Sequence, residues 1–300
     1  MTATPAGGPP PIRIRSLNDA FDYGIHQLLR ATPIPIASAV GAAMGAYAGR
    51  FTLGRLTARA DAELARLRPD LSAEERARLL RFRWRHIGRC YTEFSHLHRL
   101  VPTGRVEVVG AEHLTMPGPR LLIGPHIGNW EVPGPTVIPY TGAIQGPYTP
   151  PSNNIRHAIA YAARMRYGAK IAPPGRSAAM IVARALSRGG IAAFYTDEVT
   201  NGRRQGPSFD GPPAPDGNIA AAARVAYRYG AAIIPGGNLR LSGARYRMVY
   251  EEPIIPDTSA PEAEERERLA ALINARTLAM VKAHPEQWYM LHERPRDDYR

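Results

Sequence analysis

The sequence predicts an α/β fold: a mixed central sheet flanked by helices, covered by a helical N-terminal layer. Three observations predict it. From residue 105 to 251, short apolar runs alternate with helix-period segments, the pattern of strands wrapped by helices. Before residue 100, apolar positions such as Leu79, Leu80, Phe82 and Ile87 can share a helical stripe. The chain has 300 residues, 44% hydrophobic and 21% charged, enough to bury a sizeable core.

The elements follow in order. Residues 1–15 are Pro/Gly-rich and are expected to be disordered. Residues 16–100 are expected to form a helical, membrane-associating layer. Within it, Pro33–Ala48 is apolar and rich in Ala and Gly, but shorter than the roughly 20 residues a membrane span needs. It reads as a helix at a membrane interface, or else as an ordinary buried helix. Residues 55–99 read as helix, with a start signal at Ser72 ahead of Glu74 and Glu75. Residues 101–300 form the α/β domain. Strands are expected at 105–110, 120–124, 169–172 and 190–198, and helices at 153–167 and 176–188. A further helix opens near Asn129. Residues 199–217 read as a long polar loop, and residues 218–229 as a helix stopped by Gly230. Two strands then flank the turn Leu241-Ser242-Gly243, and a last helix covers 261–283, with acids in its first turns.

The net charge is +12, carried by arginine, since Lys170 and Lys282 are the only lysines. Such a surface favours phosphates, anionic lipid headgroups, nucleic acids or acidic proteins. No nucleic-acid recognition motif accompanies it, so nucleic acid is not an expected partner. Cys90 is the only cysteine, which excludes an intrachain disulfide and reads as a small core residue. No cleavable signal peptide is apparent in the first residues. There is no G-x-S-x-G, H-E-x-x-H or Walker A sequence, and no metal or cofactor is expected. The Gly-rich stretch 41–49 lacks a preceding strand and reads as helix packing rather than a nucleotide loop.

The sharpest element is LLIGPHIGNWEV at 121–132. His126 follows a buried strand and a Gly-Pro turn, and Glu131 lies five residues on. Five residues rotate about 140° in a helix, so the two meet only if His126 sits in the loop and Glu131 is aimed back. Together they could deprotonate a substrate hydroxyl: histidine as base, carboxylate as its orienter. A helix-capping histidine and a glutamate answering the helix dipole fit the spacing as well.

HIGNWE (126–131) resembles the H-x-G-N-W-E signature of the bacterial lipid A late acyltransferase family, the lauroyl/myristoyl type, within the lysophospholipid acyltransferases and their H-x4-D/E motif. The segments 106–114, 163–171, 189–198, 208–235 and 284–294 resemble further family segments in the same order, so the likeness spans roughly residues 20–295. It implies a glycerolphosphate-acyltransferase-like fold. It also implies transfer of a fatty acyl group from an acyl thioester to a glycolipid hydroxyl at the cytoplasmic face of the bacterial inner membrane. The implied donor is acyl carrier protein ahead of coenzyme A. His126 would be the base, Glu131 its orienting carboxylate. Arg164 and Asp197 would support substrate or site, with a structural ion pair as the plain alternative. Asn129, within the motif, would likewise bind substrate or support the site. Arg203 and Arg204 could hold a phosphate or the acidic helices of a carrier protein, or form a solvated basic loop. Two positions depart from the family. Thr149 stands where an arginine is expected, and Phe209-Asp210-Gly211 lacks one aromatic. Transfer to another phospholipid or glycolipid, hydrolysis of the thioester, and non-catalytic lipid binding are the competing readings.

Overall fold

The computed structural model describes residues 12–200 and 203–293, so most of the stretch expected to be disordered lies outside the described residues. Five helices come first: α1 (Leu17–Ala31), α2 (Ile34–Phe51), α3 (Gly54–Leu67), α4 (Ala73–Glu93) and the short α5 (Leu97–Leu100). The single helical stretch expected over 55–99 is thus split. Ser72 marks the restart through a capping box: its hydroxyl accepts from Glu75 N, and the Glu75 carboxylate accepts from Ser72 N.

The glycines of α2 explain how it packs. A Cβ at Gly41 would lie 2.4 Å from Gly88 O, one at Gly45 2.0 Å from Trp84 O, and one at Gly88 2.1 Å from Gly41 O. The three positions bring α2 and α4 into backbone contact, which outweighs the helix propensity lost at each glycine. Ala37, Ser38, Gly41 and Gly45 are buried on that face. The opposite face carries exposed Ile36, Val40, Met44, Tyr47 and Phe51. The helix within residues 33–48 is thus buried on one side and apolar but exposed on the other. Among the described residues, no helix is long and apolar enough to cross a membrane.

The α/β part follows as β1 (Val106–Val109), β2 (Arg120–Gly124), α6 (Pro133–Thr141), β3 (Ile144–Pro147), α7 (Asn154–Arg166), β4 (Ala169–Ala172), α8 (Arg176–Leu186), β5 (Ile191–Tyr195), β6 (Val199–Thr200), β7 (Arg203–Arg204), α9 (Asn218–Tyr229), β8 (Ala232–Ser242), β9 (Arg245–Tyr250) and α10 (Glu262–Ala283). The main sheet runs β1-β9-β8-β2-β5. Its one antiparallel pair is β8–β9, the hairpin marked by the turn at Gly243; the other neighbours are parallel. The sheet is therefore mixed, as expected. Leu121, Ile123 and Ile233 face α8, α9 and α10, while Leu122, Ile234, Met248 and Tyr250 pack on the other side with Leu114 and Val137 of α6.

Two local expectations need correction. The helix expected near Asn129 starts at Pro133, because residues 128–131 bend through turns in which Glu131 N donates to the Asn129 side chain and Asn129 O accepts from Asn238 Nδ2. The polar loop 199–217 contains the small antiparallel pair β6–β7.

Candidate active site

β2 and β5 are parallel neighbours, with Gly124 beside Tyr195. Two residues further along each strand stand His126 and Asp197. Parallel strands in register thus deliver an imidazole and a carboxylate side by side at their C-terminal ends, where open α/β sheets bind ligands. Asp197 is fully buried. Its Oδ1 lies 2.8 Å from His126 Nδ1, and its Oδ2 accepts the backbone N–H of His126 at 2.8 Å and the Trp288 indole N–H at 2.6 Å. A carboxylate at Nδ1 places the ring proton there and leaves the lone pair on Nε2. Nε2 meets no hydrogen-bonding partner among the described residues. The Tyr195 ring stacks on the imidazole with centroids 3.7 Å apart. Tyr195 Oη donates to Trp130 O. Burial, followed by the Glu131 charge, holds this phenol well above its ordinary pKa.

The strand-to-helix bend is fixed by glycine. Gly128 has φ +63°, and a Cβ there would lie 1.7 Å from Asn238 O. Around it, His126 O accepts from Tyr289 N, Gly128 N donates to Gln287 O, and Asn238 Nδ2 donates to Asn129 O. The C-terminal residues 285–292 therefore brace the loop from outside, and α4 braces it from behind. His86 Nε2 donates to Gly128 O at 3.1 Å, while its Nδ1 accepts from Arg240 Nε at 2.9 Å. Burial, then the Arg240 charge, pushes this histidine well below its ordinary pKa, so it stays neutral in that role.

Glu131, expected at the imidazole, forms its ion pair elsewhere. Its carboxylate is paired with Arg164 Nη2, and Asp197 takes the place at the imidazole. The reason is geometric: Glu131 sits in the turn before α6, facing α7, whereas Asp197 lies beside His126 in sheet register. The Arg164–Asp197 ion pair considered from sequence is not formed; each is paired with a residue of the motif instead. Asn129 is buried and holds the loop: its Oδ1 accepts from Glu131 N, and its Nδ2 donates to Glu93 Oε2 at 3.2 Å. Arg203 and Arg204 contribute the β7 backbone, and their side chains lie outside the described residues. Cys90 is buried behind the loop, its thiol pushed up to about 12 by burial.

His126, Glu131, Arg164 and Tyr195 line one cavity of about 480 Å³. Most of its remaining wall is apolar, including Leu122, Ile144, Val182, Ile234 and Met248. Among the described residues, no cluster of three or more His, Cys, Asp or Glu is arranged to hold a metal. The arrangement offers a histidine base, a buried carboxylate behind it, an arginine–glutamate pair, and an apolar chamber large enough for a hydrocarbon chain.

Sequence reasoning missed three participants. Tyr195 immediately precedes Thr196-Asp197 at the end of a recognised strand, so its position was available. Tyr148, which lines the cavity, and Glu93, which holds Asn129, carry no local signal; only the fold brings them to the site.

Residues 14–296 match the family described as bacterial lipid A biosynthesis acyltransferase. Among solved structures, the chain is similar to the 1-acyl-sn-glycerophosphate (LPA) acyltransferase PlsC from Thermotoga maritima, with 13% identity, a TM-score of 0.36, and coverage of 64% of this chain and 82% of that one. No curated protein sequence matches it.

Proposed function

Because the chain belongs to the bacterial lipid A biosynthesis acyltransferase family and is therefore an acyltransferase, we propose that it transfers a fatty acyl group from an acyl thioester to a hydroxyl of a glycolipid such as a lipid A precursor. The observation that carries this reading is the His126–Asp197 pair opening onto a largely apolar cavity. A hydroxyl lodged near Nε2 loses its proton to the imidazole as its oxygen attacks the thioester carbonyl carbon. Asp197 stabilises the imidazolium. Collapse of the tetrahedral intermediate expels the thiolate, which takes the proton back from Nε2. An acyl chain buried in the cavity contributes about 0.8 kcal/mol per methylene. Glu131, bound to Arg164, orients that guanidinium rather than the histidine.

His126→Ala is expected to lower transfer from an acyl carrier protein thioester to a lipid extract by more than about 10³-fold, with unfolding unchanged. Wild-type turnover by this variant would refute the assignment. Carrier protein is the proposed donor because its acidic helices complement a chain of net charge +12.

The proposed site of work is the cytoplasmic membrane surface. In α1, Leu17, Phe21, Ile25 and Leu28 are exposed at helical spacing; in α2, Ile36, Val40, Met44, Tyr47 and Phe51 are too. Exposed arginines flank these rows at Arg13, Arg15, Arg50 and Arg55. Apolar rows beside arginines suit an interface containing anionic lipid. Phe21→Asp combined with Met44→Asp is expected to weaken sedimentation with anionic vesicles at least about tenfold without lowering Tm, as both side chains are exposed. Undiminished sedimentation would place the contact elsewhere.

A further inference from the structure

Arg83 occupies a position that the helix pattern reserves for an apolar residue. It lies on the inward stripe of α4 with Leu80, Trp84 and Ile87, and it is fully buried. The partners of its terminal nitrogens are neutral: Nη1 donates to Trp288 O, and Nη2 donates to Tyr289 O at 2.8 Å and to His292 Nδ1 at 2.6 Å. Burial, then the Arg83 charge, holds His292 down at about 4, so that imidazole is uncharged. Burial pushes the guanidinium itself down to about 9, which still leaves it a cation at neutral pH. A buried cation bonded only to neutral groups is set against stability, and an apolar side chain would fill the stripe without that cost.

The bond to Trp288 O falls on one particular peptide unit. The N–H of that same unit, Tyr289 N, donates to His126 O at 2.8 Å. A cation on the carbonyl side of an amide polarises its N–H and strengthens the hydrogen bond beyond it. Trp288 meets the site a second time, because its indole N–H donates to Asp197 Oδ2 at 2.6 Å. Ile127 and Trp288 pair as an antiparallel bridge beside these contacts. One residue thus reaches the backbone of the histidine and the carboxylate behind it, and Arg83 holds that residue by its carbonyl.

We propose that Arg83 is a positioning residue for the His126–Asp197 pair, acting through the peptide between Trp288 and Tyr289. The assignment rests on the acyl-transfer reading above. Arg83 does not line the cavity, so it touches no substrate there. Its planar fork spans two successive carbonyls and the His292 ring, which fixes where the Trp288 indole meets Asp197 and where His126 O is held. A small displacement of the imidazole takes Nε2 out of line with the hydroxyl, which lowers turnover and leaves substrate binding in place. Lysine keeps the charge but has no fork, so it can hold one carbonyl and not the whole set.

Arg83→Met removes the charge and keeps an unbranched apolar side chain in the stripe. With palmitoyl-coenzyme A and a lipid extract as substrates, kcat is expected to fall at least about tenfold while KM stays within about threefold. Arg83→Lys should recover part of that loss. The displacement should also show without catalysis. Exchange of the Trp288 indole proton with solvent, followed by NMR and assigned with Trp288→Phe, should quicken at least about tenfold in Arg83→Met while the amides of β2 and β5 keep their wild-type rates. Wild-type kcat in Arg83→Met would overturn the assignment. So would exchange that quickens equally at the indole and in both strands, since that marks a general loss of stability. If Arg83→Met does not fold, Arg83→Lys carries the test: a smaller fall in kcat with faster indole exchange supports the assignment, and wild-type values of both overturn it. A wild-type protein that transfers no acyl group would instead sink the acyl-transfer reading, and indole exchange alone would then decide whether Arg83 positions the pair.

Discussion

Asp197→Asn is expected to lower kcat by about 10³- to 10⁴-fold, the size seen when the carboxylate behind a catalytic histidine becomes an amide. Asp197 accepts three bonds. Its Oδ2 takes the His126 backbone N–H and the Trp288 indole, and its Oδ1 takes the ring Nδ1. In asparagine the remaining oxygen is best used against two donors, which turns the amide nitrogen toward the ring. Nδ1 must then accept, the ring proton moves to Nε2, and the base becomes a donor. Packing is conserved, so unfolding should change little while turnover collapses. Glu131→Gln is the contrasting variant. Glutamine can still accept from Arg164, and His126 is untouched, so a fall of only about 10-fold in kcat is expected. Steady-state kinetics on both variants decides the pairing. If Glu131→Gln proved the crippling change and Asp197→Asn were mild, the carboxylate that serves His126 would have to be reassigned.

The same pair shows how far the sequence could be read. His126, the strand before it and the strand ending in Asp197 were legible, because apolar runs bounded by turn residues announce buried strands. The resemblance of 126–131 added the chemistry. What spacing could not convey was which carboxylate faces the imidazole. Glu131 is near in sequence, but its orientation depends on Arg164, 33 positions away in α7. Asp197 is 71 positions away, yet sheet register sets it beside the histidine. Register between parallel strands depends on the whole sheet, and no local window contains it. The split of the helix over 55–99 was legible at both ends of the break: Pro69 stands just past the end of α3, and the capping signal at Ser72 starts α4. The helix packing of Gly41 and Gly45 was readable in kind. Its partner, Gly88, was not, since a glycine inside a helix says only that something approaches closely.

The second large effect concerns a charge that sequence reasoning did not reach. Glu93, at the end of α4, is fully buried and binds Arg240 of β8 through both oxygens, at 2.7 and 2.9 Å. Arg240 in turn holds His86, and Glu93 holds Asn129 and the Tyr246 hydroxyl. The cluster thus joins the N-terminal helices to the loop that carries the motif. Glu93→Ala leaves a buried guanidinium without its counter-charge, and about 3–5 kcal/mol of stability is expected to be lost. Urea unfolding measures this directly; an unshifted midpoint would show that the pair contributes nothing. The double change Glu93→Leu with Arg240→Met removes both charges and keeps apolar volume. Since buried ion pairs can often be replaced by packed apolar groups at little cost, the double variant should recover at least about 2 kcal/mol relative to Glu93→Ala. Its activity should not recover in step. Asn129 and His86 would each have lost a partner that fixes residues 128–131, so kcat should stay low in a protein that folds well. That separation of stability from turnover follows only if the buried charges orient the active-site loop as well as bind the two layers together.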